Sequence, residues 1–166
     1  MADTYCLNQK VIHCREGLCF IFDETTINGN DYFVVKSVTG NGENIYILKN
    51  RTENIIRPIM DKKAAKEVIK YMNECDAEFF SNTKQRRDVY KKKLSSGNVL
   101  DLAFLAKQLF LFHYLNAHGT LVKLGPTDIE MLEAAHKILF DEFSLVFNIN
   151  YENIQSFLIQ HQNLNF

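Results

Sequence analysis

Ile27–Leu48, INGNDYFVVKSVTGNGENIYIL, sets the architecture of the N-terminal region. It opens on Asn28-Gly29, the dipeptide that most strongly signals a two-residue hairpin, because both positions tolerate positive φ. Tyr32–Val38 follows as a β-branched and aromatic strand. Thr39-Gly40-Asn41-Gly42 makes a second turn, and Asn44–Leu48 is the next strand. Working backwards, Leu18–Phe22 (LCFIF) is a short apolar strand, Glu16-Gly17 a turn, and Lys10–Cys14 (KVIHC) a first strand. Four or five short strands with tight turns predict a small antiparallel barrel or curled sheet. Arg57-Pro58 closes it, since the residue before proline is pushed out of helix.

Working forwards, the pattern changes to helices. Asp61 can cap a helix over Lys62–Asn73, with Ala65, Val68, Ile69 and Met72 spaced by three and four. A break over Asp76–Asn82 precedes a highly charged helix, Thr83–Leu94, anchored by Val89, Tyr90 and Leu94. Ser95-Ser96-Gly97 stops it, and Asn98 can cap Val99–Asn116. Pro126 suits the first turn of a helix reaching Phe147. That helix carries Ile129, Leu132, His136, Leu139, Phe143 and Val146 on one face. Asn150 can cap a last helix, Tyr151–Gln162, with Ile154, Phe157, Leu158 and His161 aligned; Leu164-Asn165-Phe166 reads as a frayed end. The class is α+β, strands first and helices after.

The chain has 166 residues, 46% apolar and 23% charged, with thirteen Phe, seven Tyr and no Trp. This is globular composition, with no internal repeat or low-complexity tract. The start lacks an apolar signal-peptide core, so the expected location is the cytoplasm, with Cys6, Cys14, Cys19 and Cys75 reduced. Leu102–Leu115 is too short, and too interrupted by Lys107, Gln108 and His113, to span a bilayer. Its nearly all-round apolar character instead suits a central core helix, with a docking or dimer surface as the other use.

The net charge of −1 hides an asymmetry. Residues 1–60 carry six basic and seven acidic side chains, 61–97 ten and six, and 98–166 three and seven. An anionic partner would therefore meet the middle block. Within it, Lys84–Lys93 (KQRRDVYKKK) has six basic residues and one acidic. On a helix Lys84, Arg87 and Lys91 share a stripe, flanked by Arg86 and Lys93. Such a stripe can bind phosphates without reading bases; the plainer use is a solvated face.

Catalytic and metal chemistry find little support. His13, Cys14 and Cys19 lack the paired spacing of a zinc site, and cysteine is commonly buried. No GxSxG, HExxH or phosphate-loop pattern occurs. Asp141-Glu142 are neighbours on a helix and do not face each other. We expect no catalytic residues, no cofactor and no metal.

Taken in order, several blocks resemble the CarD/CdnL family of bacterial RNA-polymerase-binding transcription regulators. Arg86–Gly97 (RRDVYKKKLSSG), running into Asn98–Leu109, is similar to the family's Arg/Tyr-rich helix, its Leu-x-Ser-Gly stop and the helix after it. Met131–Leu139 (MLEAAHKIL), followed by Glu142-Phe143-Ser144-Leu145, resembles a later family helix. Val11-Ile12-His13 through Gly17, the Ile27-Asn28-Gly29 turn, Tyr32–Lys36 and Arg57-Pro58-Ile59 match its Tudor-like barrel. The likeness covers residues 6–147, and the segment past Asn148 is expected to lie beyond the usual family end.

The resemblance implies a Tudor-like domain over residues 1–60 that binds the RNA polymerase β subunit, through Thr25, Val35, Ile45, Ile47 and Lys49 by position. It implies a helical domain over 61–166 that meets promoter DNA without sequence preference, through Lys84, Arg86, Arg87, Lys91, Lys92 and Lys93. The protein would then favour open-complex formation as a non-enzymatic, cytoplasmic, nucleoid-associated monomer, with a domain-swapped dimer as another route and no membrane partner. Relatives often carry a Trp wedge just before the basic helix; here that position lies near Thr83, with Phe79 or Phe80 the nearest flat side chains. Charged anchors on the polymerase-facing strands are replaced by Thr25 and Ile47. These departures leave a second reading open, an interaction adaptor on the same fold that has lost DNA binding.

Overall fold

The computed structural model describes residues 5–76 and 80–162, so the expectations for Phe79 and Leu164–Phe166, and for the His161 side chain, fall outside it. Five strands come first: β1 (Lys10–His13), β2 (Gly17–Ile27), β3 (Asn30–Ser37), β4 (Ile45–Leu48) and β5 (Ile56–Pro58). Five helices follow: α1 (Lys62–Glu74), α2 (Thr83–Ser95), α3 (Val99–Ala117), α4 (Pro126–Phe147) and α5 (Tyr151–Gln162). The α+β class and the order of strands before helices are as the sequence predicts.

The strands form one antiparallel sheet in the order β4-β3-β2-β1-β5. Asn28 (φ 51°) and Gly29 (φ 78°) both take positive φ in the β2–β3 turn, as a type I′ hairpin requires. β2 is longer than its apolar run. A bulge leaves Phe22 unpaired between Ile21, opposite Val35, and Asp23, opposite Val34, and the strand continues through the polar Asp23–Ile27. Val11, Cys19, Ile21, Phe33 and Val35 share one apolar cluster with Ile47 from one edge strand and Ile56 from the other. Both edges reaching the same interior means that the sheet curls on itself. Cys19 is fully buried there, and burial pushes its thiol up to about 12, which makes it inert packing. His13 spends a ring nitrogen on the β1–β2 turn, accepting from the Arg15 and Glu16 amides at 3.2 and 3.1 Å.

Local chemistry explains the helix ends. The Asp61 carboxylate accepts from the Ala64 amide (2.7 Å) and the Asn98 side chain from the Leu100 amide (2.8 Å). Asn148 ends α4 in the left-handed conformation, at φ 55°. α3 is apolar on both sides for a reason. Ala103 and Ala106 join α1, α4 and α5 residues in one core, while Leu102, Phe104, Leu105 and Leu109 join α2 and α4 in another. Its C-terminal half departs from the expected central role: Phe110–Phe112 are half-buried and Tyr114 is 37% exposed. Among the described residues no helix is long and apolar enough to cross a membrane.

Sheet and helices share a seam. Ile12 and Leu18, on the outer face of β1 and β2, belong to the same cluster as Leu102, Leu105 and Ile138. A Cβ at Gly17 would sit 3.3 Å from Ile138 Cγ1, and one at Gly97 only 2.8 Å from the Asn54 carbonyl oxygen. Both glycines also hold positive φ, so both turns need glycine to dock.

On α4, His136 stacks on Phe140 (3.9 Å between ring centres) and meets Phe110 edge-on. Burial, with a smaller contribution from His113, pushes its imidazole from 6.5 down to about 4, and Asp141 opposes this. The folded ring is therefore neutral over a window in which the unfolded chain binds the proton. Its contribution to stability should be constant above about pH 6.5 and fall as pH drops towards 4. Urea denaturation of His136→Phe across this range should show that slope reduced.

Candidate nucleic-acid interface and open sheet edge

α2 begins at Asn82, whose side chain accepts from the Gln85 amide at 3.0 Å. Its six basic residues do not share one environment. Lys84, Arg87, Lys91 and Lys92 are exposed, whereas Lys93 is half-buried and Arg86 is 6% exposed. This corrects the expectation that all six face a partner. Arg86 falls at the four- and eight-residue spacing from Tyr90 and Leu94, so it turns inward with the apolar anchors. Its Nε and Nη2 donate to Asp128 Oδ2 on α4 (3.0 and 2.8 Å), and Nη1 donates to the Phe80 carbonyl (2.9 Å). Lys93 bonds Asp101 of α3 at 2.6 Å and lies over the Phe104 ring, bracing α2 against α3.

Asp128 is fully buried and also accepts from the Gly125 amide at 3.1 Å, at the first turn of α4. Arg87 Nε approaches its other oxygen at 3.6 Å, an ion pair too long for a hydrogen bond, and the Arg87 side chain is 47% exposed. One carboxylate thus buries Arg86 and holds the base of Arg87 at the rim. Tyr90 lies behind them, fully buried, with its hydroxyl unpaired; burial pushes it up to about 12, with Arg86 opposing and Asp128 adding a smaller push. What remains outside is a stripe of Lys84, Arg87 and Lys91, with Lys92 beside it. Phe80, a candidate replacement for the missing wedge, packs against the α2–α3–α4 core.

The residues expected on the polymerase face divide in the same way. Val35 (0% exposed) and Ile47 (3%) point into the curled sheet, so their side chains cannot reach a partner; this corrects that expectation. Ile45 is half-buried against the same interior. Thr25 is half-buried opposite Tyr32 near the hairpin end. Lys49 bonds Glu24 at 2.5 Å and lies over the Phe33 ring. Among the described residues β4 pairs only with β3, which leaves its other side an open edge of backbone donors and acceptors. Tyr46, on that edge strand and 51% exposed, escaped the sequence reading. The alternation Ile45-Tyr46-Ile47-Leu48 was its signal, since it sends 45 and 47 inward and 46 outward.

Among the described residues no three His, Cys, Asp or Glu side chains are grouped as a metal ion would need. Removing one partner of a buried ion pair strands the other charge, so Asp128→Ala should cost about 3–5 kcal/mol. Asp101→Asn, at a more solvated pair, should cost under about 1 kcal/mol. Urea denaturation of the two variants measures the contrast.

Comparison with known proteins agrees with this architecture. Residues 67–159, more than half of the chain, match the family described as CarD, C-terminal domain. The match continues into α5, so the expected end of the family likeness near Phe147 was too early. A search of curated proteins finds no match. With strands followed by this helical domain, the chain belongs to the CarD/CdnL family, a non-enzymatic family, and is a CarD-like transcription regulator.

Proposed function

We propose that this protein binds the β subunit of bacterial RNA polymerase through its sheet and promoter DNA through α2, and so favours the open complex. The observation that carries the reading is the exposed stripe of Lys84, Arg87 and Lys91, with Lys92 beside it, on a helix anchored from behind by Asp128. Four cations on a fixed helix suit phosphate oxygens and carry no means of reading bases. Arg86 and Lys93 support the helix instead of touching DNA.

The division of labour follows the chain: residues 1–60 for polymerase and 61–166 for DNA. The open β4 edge suits main-chain pairing with a polymerase strand, with Thr25, Ile45 and Lys49 along the contact. Val35 and Ile47 would contribute through backbone and barrel packing. The protein performs no catalysis and needs no cofactor. It acts as a monomer in the cytoplasm, at the nucleoid, by holding the open complex more tightly than the closed one.

A second reading has its own support. The chain has no Trp, and Phe80 is committed to the core, so the flat wedge that could unstack a base step is missing. A polymerase adaptor without DNA contact would keep the sheet edge and leave α2 solvated.

Charge reversal separates the two. Arg87→Glu with Lys91→Glu should weaken duplex DNA binding and flatten its log–log salt dependence by about 1.8, for two phosphates at about 0.9 each. An unchanged slope, measured by fluorescence anisotropy, favours the adaptor. Saturable binding of the full chain to immobilised polymerase in biolayer interferometry is expected on either reading, and its absence would overturn both.

A further inference from the structure

α4 carries two fully buried carboxylates, and each receives an arginine from a different part of the protein. Near its start, Asp128 takes Arg86 of α2. About four turns on, roughly 21 Å along the axis, Glu142 takes Arg57 of β5 in a two-bond fork. Its Oε1 and Oε2 accept from Nη1 and Nη2 at 2.7 and 2.5 Å. Glu142 Oε1 also accepts from the Met60 amide at 2.8 Å, in the connection between sheet and helices. Between these ends Ile138 packs against Gly17, and Lys137 bonds Thr39 Oγ1 at 3.1 Å.

We infer that α4 is a strut that fixes the basic stripe of α2 relative to the open β4 edge, with Arg57 and Glu142 as positioning residues that touch neither partner. A buried carboxylate is tolerable only while its donors stay in place. A shift of the sheet along α4 would break the fork and strand Glu142, so the joint resists sliding. Two loosely tethered modules would gain only a raised local concentration for the second contact. A rigid pair delivers the stripe to one place on polymerase-bound DNA and loses less freedom on binding. The functional part of this inference rests on the proposed polymerase and DNA contacts; the mechanical part does not.

The test uses the full chain with Arg57→Ala and Glu142→Ala together, which leaves neither charge stranded. Arg57→Lys is the milder variant, keeping the charge without the fork, and it decides the matter if the double variant does not fold. Small-angle scattering should fit a single rigid shape for the parent and a broader distribution for the variant. An unchanged profile overturns the strut whatever the partners are. Polymerase binding and the DNA salt slope should match the parent, whereas the parent's prolongation of open-complex lifetime on a promoter should fall about tenfold, within the usual range of coupling between sites. Full prolongation by a folded variant overturns the functional part. A parent that binds neither partner sinks the proposed function, while scattering still decides the strut.

Discussion

The structure depends on the pairing of buried carboxylates with arginines along α4. Asp128 and Glu142 have no exposed surface, and neither could stay charged in an apolar interior without compensation. Arg86 and Arg57 supply it, each through two nitrogens, and backbone amides of Gly125 and Met60 add one bond each, while Asp128 Oδ1 has only the longer ion pair to Arg87. Apolar clusters supply most of the driving force for compaction, but they are non-directional. The ion pairs add register: one sets how α2 lies on α4, the other how the sheet lies on α4.

That constraint gives the outer surface its character. Because Arg86 turns inward, α2 presents Lys84, Arg87, Lys91 and Lys92 outward as a separate group. Because Ile45 and Ile47 close the interior of the sheet, β4 presents its backbone edge and Tyr46. Both surfaces then consist of groups that cost little to expose: charges on one side, main-chain amides and one ring on the other.

Much of the fold could be read from the sequence where local chemistry dictated it. Pro126 marked the start of α4 and Asn150 that of α5, and Asn28-Gly29 marked the central hairpin. The far half of β2 was missed because Asp23–Ile27 lies largely exposed beyond a bulge, with no apolar alternation to mark it. β5 is three residues long and exists through pairing with β1. The basic stripe was seen but overfilled. Only a distant carboxylate separates Arg86 from its neighbours, although its spacing to Tyr90 and Leu94 already placed it on the apolar face. Asp128 and Glu142 looked like ordinary acidic positions on a helix, since burial by long-range packing leaves no local signature. The positions expected to face polymerase came from the family resemblance, which carries place but not orientation, so Val35 and Ile47 were included although they face inward.

If, as proposed, this protein recognises polymerase and DNA together and does so best when the promoter is open, its affinity must differ between the two states of the promoter. The most direct measurement is the affinity of the full chain for polymerase on a promoter with a pre-melted bubble, set against polymerase on the same promoter held closed. Tighter binding to the open complex, with the difference shrinking as salt rises, is the predicted result. Equal affinity for the two states would rule out the proposed action, since a protein that does not distinguish them cannot shift their balance.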